Sequence, residues 1–207
     1  MRRLALFLLG VLVVVPALAL AHSDGRWVRK EVSGPAPDFT LTDQDEQKLS
    51  LRDLRGKVVL LNFVFTYCPA GCPLTTSKFR QIQQTVEGKP VHLVSVSIDP
   101  DHDTPAALKA YGEHRGADFK GWSFLTGTML ELDRVRVGFG VTRERRGLRG
   151  PNGDIVKIAI VDHALKTFLL DRKGVKRFEY WGQDFEATAV IEDITKLLTE
   201  GTENRSP

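Results

Sequence analysis

Both cysteines of this chain lie in one stretch, Thr66-Tyr67-Cys68-Pro69-Ala70-Gly71-Cys72-Pro73. Thiol redox sites commonly use Cys-x-x-Cys; here there is one residue more. Four residues make about one helical turn, so both sulfurs can project from the same face. Such a pair can close a disulfide or clamp one soft metal ion. A purely structural bridge over so short a loop would remove little loop-closure entropy. Two thiolates rarely complete a metal site alone, so the chain must supply a third group or meet a redox partner. His163, in Val161-Asp162-His163-Ala164-Leu165, is the candidate third group among five histidines. By position alone a loop histidine is more often a surface residue.

The elements that must position these residues follow from pattern. Val58-Val59-Leu60-Leu61-Asn62-Phe63-Val64-Phe65 is too short for most helices and rich in β-branched and aromatic residues, which predicts a fully buried strand. Leu74 to Val86 has Phe79, Ile82 and Val86 at helical spacing, with Pro73 where a first-turn proline is tolerated. The cysteines are therefore expected on a strand-to-helix turn, where unpaired helix N–H groups favour thiolate over thiol. Val91 to Ile98 predicts a second strand, with His92 as a polar residue at its start. Asp99-Pro100-Asp101-His102-Asp103 opens like a calcium loop, but Thr104 stands where glycine is required and Ala110 at the twelfth position. A strand end followed by a helix cap explains it better: Asp103 or Thr104 caps, Pro105 takes the first helical position, and the helix runs to about His114.

Asp38–Leu41 and Lys48–Leu51 flank a polar stretch and predict a hairpin. Trp122–Gly127 predicts a short strand, and Leu130, Val135 and Val137 fall on a further short helix ending near Gly138 and Gly140. Arg143-Glu144-Arg145-Arg146-Gly147-Leu148-Arg149-Gly150 reads as a basic, solvated loop. Ile155–Val161, Thr167–Leu170 and Val175–Tyr180 read as strands, the last two joined by a turn at Asp171–Gly174. Asp184–Leu198 reads as an amphipathic helix.

The chain of 207 residues is long enough for one domain with a sizeable core, and its 42% hydrophobic and 27% charged residues are ordinary for a globular protein. Met1-Arg2-Arg3 is a positive n-region, Leu4–Val15 an apolar h-region, and Ala19-Leu20-Ala21 a small-x-small cleavage site. Residues 1–21 are thus expected to be a secretory signal peptide. The alternative is an uncleaved anchor, since the apolar run reaches the lower edge of a membrane span. The net charge of +3 includes Arg2 and Arg3, so the remainder is near neutral and no nucleic-acid partner is implied. The destination is an oxidising compartment, the periplasm or cell envelope, where an unprotected dithiol is oxidised unless it is reduced or metallated. Membrane association would come through the N-terminal segment. The expected division is signal 1–21, polar linker 22–34 with its Gly and Pro running to about residue 36, globular domain 35–198 and polar tail 199–207.

The order of hairpin, strand, cysteine-bearing helix, strand, helix, strand hairpin and helix predicts an α/β, thioredoxin-like fold with an added N-terminal β-hairpin and a further hairpin insertion. Ordinary thioredoxin-like oxidoreductases place a proline beside their cysteines late in the chain, and none occurs between Pro151 and Pro207. Thr66–Pro73, Asp99–Pro105, and Val161-Asp162-His163 followed by Thr167–Gly174 resemble the Sco/SenC family of copper chaperones, over about residues 35–198. The resemblance implies copper, Cu(I) or Cu(II), held by Cys68, Cys72 and His163. It implies delivery to the CuA centre of cytochrome c oxidase, with the CuA-bearing subunit and a thiol reductant as partners. It also implies, for some members, thiol-disulfide reductase activity through the Cys68–Cys72 pair. Ala70-Gly71 and Ala164 depart from the family pattern of an acidic residue between the cysteines and a serine after the histidine. Two thiolates and an imidazole suit three-coordinate Cu(I), whereas zinc usually wants a fourth ligand. Asp99 and Asp103 are weaker candidates for tuning that site from outside the ligand set. The alternative function is an extracytoplasmic thiol-disulfide oxidoreductase in which one cysteine attacks and the other resolves.

Overall fold

The computed structural model describes residues 27–68, 71–149, 152, 155–163 and 165–203, and of 144–149, 155–163 and 201–203 the backbone alone. The expected signal segment 1–21 lies outside the described residues, as do the ends of the polar linker and tail. Among the described residues no helix is long and apolar enough to cross a membrane.

An eight-stranded sheet forms the frame, built from β1 (Val28–Pro35), β2 (Thr40–Asp43), β3 (Lys48–Ser50), β4 (Val58–Val64), β5 (Val91–Ser97), β6 (Trp122–Thr126), β9 (Lys166–Leu170) and β10 (Val175–Trp181). Its strand order is β1-β10-β9-β4-β5-β6-β2-β3. β4, β5 and β6 are parallel, so their C-terminal ends share one edge of the sheet. β9 returns antiparallel beside β4, pairing Val59 with Leu170 and Asn62 with Thr167. β7 (Arg143–Arg149) and β8 (Ile155–His163) form a separate two-stranded ribbon.

β4 is buried on both faces, as its unbroken apolar run requires. Val59, Leu61 and Phe63 join one core cluster with Leu132 and Val135 of α3 (Met129–Gly138); Val58 and Leu60 join another with Phe79 and Ile82 of α1 (Gly71–Thr85). α2 (Pro105–His114) and α4 (Ala187–Glu203) share that second side through Leu108, Val190, Ile194 and Leu197. The thioredoxin-like α/β architecture and the added hairpin β2–β3 match the reading of the sequence.

Two local expectations change. Residues 28–35, expected within the linker, are an edge strand paired with β10. Its polar pattern is that of a strand half in water, which hydropathy does not distinguish from a linker. Arg143–Arg149, expected as a loop, is β7, whose ladder to β8 satisfies backbone groups despite a composition with weak strand preference. β8 is a strand, as expected, and it pairs with β7 in that ribbon and not in the main sheet. On α3, Leu130 and Val137 face solvent while Leu132 and Val135 turn inward.

Candidate metal centre

β4 delivers the cysteine turn to the C-terminal edge of the parallel strands. The Cys68 N–H bonds back to the Phe65 carbonyl at 3.2 Å, closing a turn immediately after the strand. α1 then begins at Gly71, three residues earlier than Leu74 and with Pro73 already inside its first turn. Cys72 is therefore helical, 1% exposed and part of the core, whereas Cys68 is partly exposed on the turn. The two are not joined in a disulfide.

The helix start creates an asymmetry that spacing alone did not reveal. The Cys72 backbone N–H donates to Cys68 Sγ at 3.3 Å, so the helix N-terminus favours negative charge on Cys68. The Cys72 thiol is pushed the other way. Its hydrogen bond with Cys68 raises its pKa most, then burial, then the charges of Cys68 and Asp103, against a lowering backbone hydrogen bond with Phe65. Cys72 thus keeps its proton in the metal-free pair, contrary to the expectation that helix N–H groups would favour thiolate at both sulfurs.

A buried carboxylate braces the turn. Asp103 Oδ1 accepts from the Thr66 N–H at 3.1 Å and from Thr66 Oγ1 at 2.6 Å, and Oδ2 accepts from Ser97 Oγ at 2.6 Å. Burial raises the Asp103 pKa, and the bonds from Ser97 and Thr66 oppose that rise. Thr104 caps α2 through Ala107 N–H, with Pro105 following, as the sequence predicts. Asp103 is thereby left for the cysteine turn. Asp99 accepts the His102 ring nitrogen at 2.8 Å, and the His102 ring meets Tyr67 edge-on with centroids 5.4 Å apart. Tyr67 itself is 72% exposed beside Cys68.

His163 is the last residue of β8, with its Cα opposite that of Arg143; its side chain lies outside the described residues, as do Pro69, Ala70 and Ala164. Two described neighbours bracket it. A Cβ on Gly71 would stand 2.9 Å from Leu165 Cδ1 and 3.1 Å from Gln183 Oε1, so the turn after His163 packs against the first residue of α1. The Leu165 carbonyl accepts the Gly182 N–H at 2.8 Å, fixing that turn to the end of β10. On the other side, Arg143 Nη1 donates to the Ile98 carbonyl at 2.6 Å, and the Ile98 N–H donates to the Val64 carbonyl at 2.9 Å. The end of β8 therefore reaches the sheet edge that carries Cys68. Among the described residues no group of three His, Cys, Asp or Glu side chains gathers as a metal site; Cys68 and Cys72 supply two sulfurs.

Sequence reasoning did not find Arg143, Thr66, Ser97 or Leu165. Arg143 was hidden in a basic stretch, and Leu165 in a turn whose glycine partner is 94 residues away in sequence. Asp103 carried the one usable signal, an acidic residue left over once Thr104 is assigned as the cap.

The family model described as SCO1/SenC matches residues 29–199. The SCO1 protein homolog of Bacillus subtilis is 32% identical over 112 residues, 53% of this chain and 58% of the relative. A Stutzerimonas stutzeri protein named for copper binding is 38% identical over 108 residues, 51% of this chain and 52% of the relative. The chain thus spans a little over half the length of these two relatives. The solved structure of BsSco, described as a member of the Sco family of cytochrome c oxidase assembly proteins with a disulfide switch, superposes with a TM-score of 0.66 at 27% identity, covering 83% of this chain and 98% of that one.

Proposed function

This chain belongs to the SCO1/SenC family, and from that premise we propose that it binds copper as cargo through Cys68, Cys72 and His163 and delivers it to the CuA-bearing subunit of cytochrome c oxidase. The observation that carries the reading is the bracketing of the end of β8 between Arg143 and Leu165, at the edge where Cys72 N–H meets Cys68 Sγ. Two soft sulfurs and one imidazole form a trigonal set suited to Cu(I), with room for a partner's ligand to enter during transfer. Metal binding displaces the proton that Cys72 holds, so loading releases protons and tightens as pH rises. Residues 1–21 serve as the export signal or, uncleaved, as an anchor, and place the globular domain on the outer side of the membrane in the periplasm or cell envelope. A thiol reductant keeps the pair competent there.

The asymmetry of the two sulfurs favours a second activity at the same site. Cys68 as thiolate attacks one sulfur of a partner disulfide, forming a mixed disulfide and releasing the other partner sulfur as a thiolate. Cys72 then gives its proton to that released thiolate and attacks the Cys68 sulfur, closing the 68–72 disulfide and releasing the second partner sulfur as a thiolate that takes its proton from water. The partner gains two electrons and this chain loses them.

An oxygen-free Cu(I) titration of the reduced full-length chain against a competing chelator tests the first reading. One copper per chain, bound much more weakly by His163→Ala, is the expected result. Equal binding by both proteins would leave the dithiol exchange as the function, and that activity should survive in His163→Ala.

A further inference from the structure

We propose that Arg143 is a positioning residue for copper, holding His163 at the distance from Cys68 and Cys72 that three-coordinate binding needs. The inference rests on the reading of His163 as a ligand. His163 ends a ribbon outside the main sheet, so the β4–β5 ladder that places the cysteines does not place it. Leu165 ties the β8 side of the ribbon's base, and the β7 side needs a tie of its own. Arg143 is the cross-strand partner of His163, and its side chain is only 9% exposed. Its guanidinium donates to the Ile98 carbonyl at 2.6 Å and to Met129 Sδ at 3.1 Å, and lies 3.3 Å from Asp133 Oδ1. Asp133 is held in turn by Arg136 at 3.2 Å.

The path from ligand to ligand is short and made of fixed groups. It runs from His163 across one ladder step to Arg143, through the guanidinium to Ile98, from Ile98 N–H to Val64, and through Phe65 to Cys68 N–H. A planar guanidinium with several donors suits this task better than an ammonium, because it can bind a carbonyl, a thioether and a carboxylate in one orientation. The ladder also contains a register shift between Glu144 and Arg145. Only the pairs Arg143–His163 and Glu144–Asp162 lie on the near side of that irregularity. A bulge of this kind separates the strand beyond it from the registered pairs at the base. Arg143, opposite the contact that Leu165 makes with Gly71, therefore sets the ligand, and the outer ribbon does not.

The test compares full-length wild type, Arg143→Met, Arg143→Lys, His163→Ala and the double variant Arg143→Met/His163→Ala. Cu(I) affinity is measured by chelator competition, and Cu(II)-loaded samples are examined for imidazole nitrogen hyperfine structure in electron paramagnetic resonance. Arg143→Met should weaken Cu(I) binding by about 10–100-fold, as loss of an outer positioning group does at other metal sites, and should lose the imidazole signature. Arg143→Lys, which keeps a donor for the Ile98 carbonyl, should recover most of the affinity. The double variant should bind no more weakly than His163→Ala, because both changes remove the same interaction. A role in stability alone would lower the melting temperature and leave the hyperfine signature intact. Wild-type affinity in Arg143→Met beside weak binding in His163→Ala would overturn the inference while sparing the copper site. Wild-type affinity in His163→Ala would overturn the copper site itself and the inference with it. If Arg143→Met does not fold, Arg143→Gln, too short to reach the carbonyl, replaces it with the same expectation.

Discussion

Cys68 and Cys72 are four residues apart, but one lies on a turn and the other inside the first turn of a helix packed into the core. Helix N–H groups reward charge on the sulfur they point at, which is Cys68; the hydrogen bond with the neighbouring sulfur, and then burial, penalise charge on Cys72. Nucleophilicity follows thiolate and access together. Iodoacetamide added to the reduced, metal-free protein should therefore alkylate Cys68 well before Cys72, as read by peptide mass spectrometry over time. In Cys68→Ser, Cys72 should stay unmodified until denaturant is added. Equal rates at the two positions would contradict the asymmetry. The pair itself was legible in the sequence, because two cysteines at one-turn spacing after an apolar run leave few alternatives. The division of labour was not, since it depends on α1 starting at Gly71, where Leu165 and Gln183 crowd the space a Cβ would take.

At the scale of elements, the three parallel strands hold the site by being buried on both sides, and that burial has a pH signature away from the site. His92, at the start of β5, is 7% exposed, and its Nε2 bonds Ser123 Oγ of β6 at 2.9 Å. Its Nδ1 has no partner among the described residues. Burial first, and the charge of Lys57 second, lower its pKa from 6.5 to about 4. Above the unfolded value both states are neutral. As pH falls below 6.5 the unfolded chain takes up a proton that the folded one refuses, so stability drops until the folded value near 4 is reached, then levels off. The loss should amount to about 3 kcal/mol at most. Urea unfolding of wild type and His92→Gln at pH 7, 5.5 and 4 isolates it: the wild type should lose ground against the variant across that window. A constant difference between them would show that His92 does not titrate in this way. The sequence placed His92 at the start of this strand as a polar residue, and the structure shows it to be a buried partner of the next one. Strands such as β4 and β5 declare themselves because burial on both faces demands an unbroken apolar run. β7 does not, because a two-stranded ribbon needs only backbone pairing and tolerates Arg and Gly.

For the molecule as a whole, the sheet has a working edge and a fastened one. β1 closes the sheet beside β10, and its Arg29 reaches over the Phe178 ring, 4.4 Å from the centroid, to grip Asp193 of α4. Arg29 Nε and Nη2 donate to the two Asp193 oxygens at 2.7 and 2.6 Å, and the Tyr180 hydroxyl donates to Oδ2 at 2.6 Å. A polar strand adds little apolar burial, so this fork is what fastens residues that the sequence presented as linker. Removing Arg29 would leave a buried carboxylate with the tyrosine hydroxyl as its remaining described donor. Breaking a fully buried pair costs about 3–5 kcal/mol; Arg29 is 34% exposed, so water screens part of that. Arg29→Ala should therefore cost about 2 kcal/mol and lower the melting temperature by about 4–8 °C for a domain of this size. Copper stoichiometry should stay at that of the wild type, because Cys68 is held by β4 and Asp103, and the end of β8 by Arg143 as well as by Leu165, whose bond to Gly182 is its link toward β1. A thermal melt and a Cu(I) titration on the same sample separate the two effects. An unchanged melting temperature would mean that the fork does not fasten the edge. Lost copper binding at an unchanged melting temperature would mean that the N-terminal strand reaches the metal site through β10 and the Leu165–Gly182 bond, and that the two edges act as one.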